Sequence, residues 1–495
     1  MRSISLILIT CHCNLFAQFP GDPDLTFGSH GTTVTPINEY SSIHGLDFGS
    51  DGSIIAGGVS ENVQEDYSFN LVKFDKYGKV DSSFGYLGIV NLEIEEFRIY
   101  SQAGPKIQID GKIIIAGEVN GPFQDLEFED QVAVIRFNPD GKIDSTFGEV
   151  GFIFSRFNNN SADIIPKSVL LQDDGKILIV GQYSTAFGDD KDFIFILRYN
   201  NNGTIDSSYG DAGLLKLQPD FENIGERTIT TAHIQPDGKI IVAGSNSNYA
   251  LLMRINNEGS IDETFGTEGY FHYKYYEYLN VFNDFDLTQN NKILVAGTTD
   301  DGDFKSGIML RLNGDGSIDS TFGQNGIIIN DAPFIFLIEQ PNGNIFSSPK
   351  LTRYTENGDV DWSFGEDGTI YSGDIFINCA ESQADGKIVA GGSRDWNFAL
   401  GRYLSENIAD PFNNTLFYIY PNPIANNFSL KFKCPTSVDG VLRIYNMSAQ
   451  LISEALIPGQ IETYNFTAPG NSIKGIYYFE FQIGYDHYSK IAVKM

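Results

Sequence analysis

Asp144-Ser145-Thr146-Phe147-Gly148-Glu149-Val150-Gly151 is one of seven versions of the phrase Asp-x-x-Phe-Gly-x-x-Gly in this chain. The others begin at Asp24, Asp81, Asp206, Asp262, Asp319 and Asp361. Their aromatic residues, Phe27, Phe84, Phe147, Tyr209, Phe265, Phe322 and Phe364, are spaced 57, 63, 62, 56, 57 and 42 apart. Self-similarity at a period of about 40–60 residues, with strand-like content, marks a propeller or an array. Architecture alone leaves function open, because propellers host unrelated activities.

Two further signatures recur in phase. A turn and an apolar run begin at Asp51, Asp110, Asp174, Asp237, Asn290, Asn342 and Asp385. A basic residue near a strand end follows each: Lys73, Arg136, Arg198, Arg254, Arg311, Arg353 and Arg402. Asp-Gly or Asn-Gly between apolar runs predicts a hairpin, because both turn residues tolerate positive φ. The Ile/Val/Leu runs have strand length and β-branched content. Each period therefore holds about four strands, the fourth entered through the Phe-Gly turn. The unit at Phe27 has no hairpin before it, and the last strand, Phe398–Tyr403, has no Phe-Gly unit after it. Pairing Thr32–Pro36 with Phe398–Tyr403 completes a seventh blade and removes an exposed edge. The expected fold is all-β: a seven-bladed β-propeller closed by its N-terminal strand, then a small β-sandwich.

Composition agrees, with 41% hydrophobic residues and 51 glycines. Net charge is −31; residues 411–495 hold six basic and five acidic side chains, leaving −32 on the rest. So acidic a propeller repels nucleic acid and anionic membranes and gains solubility. Residues 1–17 read as a signal peptide: Arg2 is its basic region, Ile4–Thr10 its apolar stretch, and cleavage is expected after Ala17. That stretch is too short to span a bilayer, and no other approaches 18 apolar residues. Cys11 follows Thr10 where lipidation expects Gly or Ala, which argues against a lipid anchor. Cys379 and Cys434 then remain, one in each domain, and are expected to be unpaired buried thiols. The expected division is a propeller over 18–404, a linker over 405–415 and a strand-rich domain over 416–495, in a monomer.

The last domain alternates apolar and aromatic residues in about seven short strands. It opens on the box Tyr420-Pro421-Asn422-Pro423, whose prolines fix φ and remove two donors. With this box, the stretch Leu442–Gln450, the motif Gly475-Ile476-Tyr477-Tyr478 and the ending Lys490–Lys494, it resembles the type A sorting domain of the type IX secretion system of Bacteroidetes. Ala449 stands where that family usually has Gly. The resemblance implies transport across the outer membrane by the type IX machinery, then removal of the domain and release or surface attachment. The repeats over Gly21–Tyr403 resemble the delta-60 repeat β-propeller family. The resemblance rests on units such as Asp81, Phe84, Gly85, Gly88 and Asp144, Phe147, Gly148, Gly151. It implies no defined activity. Blade six departs, with the period of 42 and Ser348-Pro349 in place of Ala-Gly, which puts its second and third strands in doubt but not the ring.

The seven repeated aspartates are expected to cap the amides of the Phe-Gly turns. Calcium is the alternative, but Asn313–Asp319 lacks the EF-hand register. No cofactor and no metal are expected, and the repeated Arg and Lys residues read as contacts at blade edges. There is no Gly-x-Ser-x-Gly, His-Glu-x-x-His or Cys-x-x-Cys in the mature region, so no catalytic residue is assigned. His44 and His233 fall on first strands, placed to line a central channel. Carboxylates from different blades could also meet there unseen by pattern. In Tyr270–Tyr278, Tyr273, Tyr275 and Tyr276 are candidates to contact a glycan or protein ligand, against two-sided packing as the plainer account. The acidic stretch Glu118–Asp130 is expected as a loop between strands two and three. The resulting expectation is an exported, non-enzymatic binding scaffold, at the surface or secreted. The alternative is a secreted carbohydrate-active enzyme, which converging channel carboxylates would favour.

Overall fold

The computed structural model describes residues 20–405 and 417–494. Left out within them are 65–66, 95–96, 123–127, 158–161, 186–192, 219–226, 247–248, 289, 349, 366, 371–373, 421–426, 433–439, 447–449, 459–462, 468–474 and 484–485. The described residues form strands and turns and no helix. Two compact units divide the chain, Met1–Glu406 and Asn407–Met495.

In the first unit the repeats become four-stranded antiparallel sheets, consistent with a β-propeller. In chain order, sheet one spans 40–92, two 98–155, three 162–217, four 227–273, five 279–330 and six 337–370. Sheet seven holds 376–403, with Thr32–Thr35 from the N-terminus as its fourth strand. That strand runs antiparallel to Asn397–Tyr403, with Thr32 opposite Gly401 and Thr35 opposite Phe398. Middle strands are buried along most of their length, and along all of it in Ile240–Asn246 and Phe193–Tyr199. Their unbroken apolar runs follow from cover on both faces. Sheet six keeps four strands, shortened to three residues at Leu337–Glu339 and Ile345–Ser347.

One detail of the turns is added by the structure, and one loop differs from expectation. In the Asp-Gly turns only the glycine takes positive φ; Gly111 is at 82° and Asp110 is not left-handed. Asp110 instead accepts the Lys112 amide on Oδ1 (3.2 Å), so the turn is built by an aspartate cap and not by a two-residue left-handed pair. The stretch 118–130 is mostly strand: Ile113–Pro122 pairs with Phe128–Phe137, and Asn120 faces Asp130. The hydrogen bond from Asn120 Nδ2 to Asp130 Oδ1 (2.7 Å) ties the two strands together across that pair, and Glu118 on the same strand is buried.

Each Phe-Gly turn ties its sheet to the next. Arg136 Nε donates to Asp144 Oδ2 (2.7 Å), and the guanidinium lies over the Phe147 ring, 4.4 Å from its centre. Arg136 also donates to the Asn201 carbonyl of sheet three. Asp144 Oδ1 accepts the Thr146 amide (3.1 Å) and hydroxyl (2.7 Å). The Gly148 amide donates to the Asn202 carbonyl, again in sheet three (3.0 Å). Gly148 sits at φ 53°, and a Cβ there would fall 2.4 Å from the Phe152 carbonyl oxygen, so no other residue fits. Arg198–Asp206, Arg254–Asp262, Arg311–Asp319 and Arg402–Asp24 repeat the arrangement. All seven aromatic rings are fully buried. Sheet one departs, with Lys73 3.7 Å from a partly exposed Asp81.

The second unit has two antiparallel sheets, one of three strands and one of four. In the larger, Gly475–Ile483 pairs with Asp486–Lys494, so the Gly-Ile-Tyr-Tyr motif lies against the Lys-Ile-Ala-Val-Lys ending; Tyr477 faces Ala492.

This pattern sets unequal costs for one chemical change. Asp144→Asn leaves the buried Arg136 charge without its partner and should cost about 2–4 kcal/mol, near the range for breaking a buried pair. Asp81→Asn, in the exposed pair, should cost less than about 1 kcal/mol. The Tyr209 hydroxyl is buried with no hydrogen-bond partner among the described residues, so Tyr209→Phe should stabilise by about 1 kcal/mol. Denaturant midpoints of the three variants check the ranking.

Candidate functional site: a cavity lined by the first strands

The first strands of all seven sheets line one cavity of about 600 Å³. A β-bulge interrupts six of these strands. In sheets one, three, four, five and seven the extra residue lines the cavity: His44, Lys167, Thr230, Asn283 and Asn378. A bulge re-aims a side chain that regular alternation would point elsewhere. A second set stands four residues before each turn: Asp47, Lys106, Leu170, His233, Asp286, Ile338 and Glu381. Sheet six, short and without a bulge, gives an apolar wall from Ile335 to Ile338.

Hydrogen bonds divide these residues into two groups. Thr230 donates to the Phe282 carbonyl (2.7 Å), Asn283 to the Phe334 carbonyl (2.6 Å) and Asn378 to the Ile43 carbonyl (3.0 Å). Asp47 accepts the Ile107 amide (2.6 Å), Asp284 the Leu337 amide (2.9 Å) and Asp286 the Glu339 amide (2.8 Å). Five of these bonds run to the neighbouring sheet and the sixth, to Phe334, to the segment leading into it, so these groups hold the assembly together. His44, Lys106, Lys167, His233 and Glu381 occupy equivalent positions and make no such bond among the described residues. His233 rests against the Phe285 ring, 4.6 Å between centres.

Burial shapes the charges. It raises Asp284 to about 8, opposed by the Leu337 amide and reinforced by Asp286. It raises Glu381 to about 7, opposed by Lys106 and reinforced by Asp286 and Asp47. It lowers His233 to about 4, helped by repulsion from Lys106, so this imidazole is neutral at physiological pH. It also lowers His44 and Lys167, the latter against attraction from Glu118. Cys379, free and facing the cavity, has its thiol pushed up by burial and stays protonated.

The turn aspartates lie apart, among the cavity's absentees. Asp81 and Asp144 each accept a backbone amide and a hydroxyl two residues on, and Phe84, Gly85, Gly88, Phe147, Gly148 and Gly151 complete those turns. No group of three His, Cys, Asp or Glu residues fit to hold a metal occurs among the described residues. Tyr273 is half-buried beside Phe271, the Tyr275 and Tyr276 amides are held by Asn280 Oδ1 (2.9 and 3.2 Å), and Tyr275 and Tyr278 are exposed. Tyr420 ends the strand Phe417–Tyr420, Gly475 begins another, and Tyr477 is buried. Ala17, Pro421, Asn422, Pro423, Ala449 and Cys434 lie outside the described residues. His44 and His233 do line the cavity; Lys106, Lys167, Glu381 and the three aspartates were not singled out from sequence. Their signal was available: the position four before each turn varies in chemistry while the turn around it repeats.

Residues 49–84, 108–147, 172–209, 235–265 and 288–322 match the domain of unknown function (DUF5122) beta-propeller. Residues 418–494 match the secretion system C-terminal sorting domain. The chain carries DUF5122 β-propeller repeats and ends in a type IX sorting domain. It is therefore an export substrate of the type IX machinery, destined for the cell surface or secretion. No helix among the described residues is long and apolar enough to cross a membrane. No curated protein sequence matches the chain. Among solved structures, the polysaccharide lyase Uly1 is similar at 10% identity and a TM-score of 0.43, over 77% of this chain and 92% of that one. Sqt1 from Chaetomium thermophilum is similar at 12% identity and 0.40, over 75% and 99%. The Hadza microbial sialidase Hz136 is similar at 10% identity and 0.41, over 74% and 66%. Likeness at this level transfers no activity.

The cavity acids and the turn aspartates impose opposite pH dependences. At Asp144, burial raises the pKa, but the Thr146 hydroxyl, Lys112, the Thr146 amide and Arg136 outweigh it and hold the carboxylate well below its usual range. Its stability contribution is present above the unfolded value, about 3.9, and is lost only in strong acid. Asp284, at about 8, is protonated in the folded chain where the unfolded chain is ionised. The folded state then binds more protons, so stability falls as pH rises. Neutral His233 and His44 oppose that trend only below about pH 6.5. The melting temperature should therefore decline from pH 6.5 to 8.5, and Asp284→Asn should flatten the decline; an unchanged slope in that variant would assign it elsewhere.

Proposed function

We propose that this chain is an exported seven-bladed β-propeller that binds a small polar ligand in its axial cavity, at the cell surface or after release. The observation that carries the reading is the set of five charged or titratable side chains in the cavity that the fold itself does not use. Ionisable side chains gathered around one concave cavity and left without a partner from the fold mark a candidate binding site. In this reading residues 1–17 are a signal peptide cut after Ala17, 18–404 the propeller, 405–415 a linker and 416–495 the sorting domain. Exposed Tyr275 and Tyr278 offer a second, aromatic contact surface on the same domain.

Ring closure is supported by three observations. Thr32–Thr35 joins sheet seven. Arg402 pairs with Asp24 and donates to the Lys76 carbonyl of sheet one. The cavity takes lining residues from every sheet. Deleting residues 22–38 should then lower the melting temperature of the whole propeller, since it opens an edge and strips Arg402 of its buried partner. A truncated chain that melts like the intact one would sink the closed-ring account.

A second reading, a carbohydrate-active enzyme, draws on the raised pKa values of Glu381 and Asp284. General acids are tuned in this direction. Binding is favoured because Asp47, Asp284 and Asp286 are already committed to neighbouring amides, leaving Glu381 as the one carboxylate in the lining without such a bond among the described residues. A two-carboxylate mechanism needs a second free group. The purified chain and its Lys106→Met variant should be screened against arrays of glycans, amino acids and peptides, with product analysis of each polysaccharide. Ligand capture that the variant loses, without turnover, is the expected result. Chain cleavage abolished by Glu381→Gln would establish the enzyme instead.

A further inference from the structure

We propose that the cavity takes a zwitterionic small molecule, of the class of free amino acids and short peptides, with Lys106 and Lys167 holding its carboxylate and Glu381 its ammonium group. The proposal rests on the reading of the cavity as a binding site.

The charges in the cavity are sorted by position around it. The two lysines come from adjacent sheets, two and three. The negative side is built from sheets five, seven and one, where Asp286, Glu381 and Asp47 sit at the equivalent repeat position. Glu381 interacts with both of those aspartates as well as with Lys106. The aspartates keep their amide bonds to the next sheet, so they supply negative potential without being free to move. Glu381 is the group able to meet a cation. Neither Lys106 nor Lys167 has a hydrogen bond or ion pair among the described residues, although Lys112, Lys176, Lys239, Lys292 and Lys387 each sit within 4 Å of a carboxylate.

A ligand of one charge sign would satisfy one side and leave the other unpaired. An uncharged sugar would leave both so, and a site built for polar partners rejects a ligand that lacks them. A molecule with carboxylate and ammonium groups a short distance apart satisfies both. The size agrees: a cavity of about 600 Å³ lies within the range of about 300–1,000 Å³ that small-molecule sites occupy. His233 and His44, adjoining the lysine side, add ring nitrogens able to accept from a ligand amide or ammonium.

Isothermal titration of the full-length chain tests this with dialanine, L-alanine, galacturonate, ethanolamine and cellobiose as probes. Dialanine or alanine should bind at least about tenfold more tightly than galacturonate or ethanolamine, each of which offers one charge, and cellobiose should not bind. Lys106→Met and Glu381→Gln should each weaken dialanine by about tenfold or more, as expected when one partner of a charged contact is removed. Lys106→Arg should retain most of the affinity, which separates lost charge from lost folding. Lys142→Met, at an exposed site outside the cavity, should change nothing. Galacturonate or cellobiose binding as tightly as dialanine would overturn the proposal, as would dialanine binding unmoved by Lys106→Met and Glu381→Gln. Silence from all five probes would overturn it too. In that case a different array compound captured in a Lys106-dependent way would leave the binding function standing, and capture of none would remove both.

Discussion

The contact between an arginine and the next sheet is the constraint on which this structure depends. A four-stranded sheet cannot bury both of its faces alone. Each one here is completed by its neighbour through a repeated set of bonds at the Phe-Gly turn. Arg136 illustrates how the set works: one guanidinium neutralises Asp144, covers Phe147 and donates to a carbonyl of sheet three. The next sheet answers with a glycine, since a Cβ on Gly203 would come 3.0 Å from the Phe147 ring. Because charge, ring and close approach are coupled at one point, neither partner sheet is free to slide. The interaction is repeated from sheet to sheet, and Arg402 finds its aspartate, Asp24, nearly 380 positions away in sequence.

That coupling explains why the fold was legible. The residues that make the turn are the residues that make the contact between sheets, so the same letters recur for two reasons at once. The Asp-x-x-Phe-Gly-x-x-Gly phrase gave the strand order and the pairing of Thr32–Thr35 with the last strand. Local conformations were less legible. Both residues of an Asp-Gly turn tolerate positive φ, yet Asp110 caps an amide and only Gly111 is left-handed, a choice that the dipeptide alone does not make. The acidic stretch around Glu118 looked like a loop by composition, yet it pairs as strand, because the ladder from Ile113 is strong enough to carry polar residues with it.

The candidate site was legible in a weaker sense. His44 and His233 could be placed by their strands, and both face the cavity. Lys106 and Glu381 could not be distinguished from surface charges on a half-exposed strand, and Lys167 could not because nothing local marks a bulge or the side to which it turns a residue. A bulge is visible only as one extra residue between two paired strands, and the pairing is not written in the strand itself. What the sequence did contain was contrast. At four residues before the turn the repeats carry Asp, Lys, Leu, His, Asp, Ile and Glu, beside turns that hardly change.

The contrast has a physical basis that extends beyond the cavity. In a repeat array every position that contacts the next sheet must satisfy the same geometry, so its chemistry is constrained seven times over. A position that faces the axis touches no equivalent neighbour in that way and is free to differ. Some of these positions have been drawn into the scaffold: Thr230 and Asn378 turn the bulge into a bond with the adjoining strand, and Asn283 into one with the segment before it. His44 and Lys167 stand at the same bulge and make no such bond. The same local distortion thus serves two ends, and the residue placed on it decides which. Where the side chain is a short amide or hydroxyl, the neighbouring carbonyl is within reach and the bulge becomes structural. Where it is an imidazole or a long ammonium, the polar atom passes beyond that carbonyl and into the cavity. The bulge thus supplies His44 and Lys167 to the cavity lining, beside Lys106, His233 and Glu381 from the regular position four before each turn.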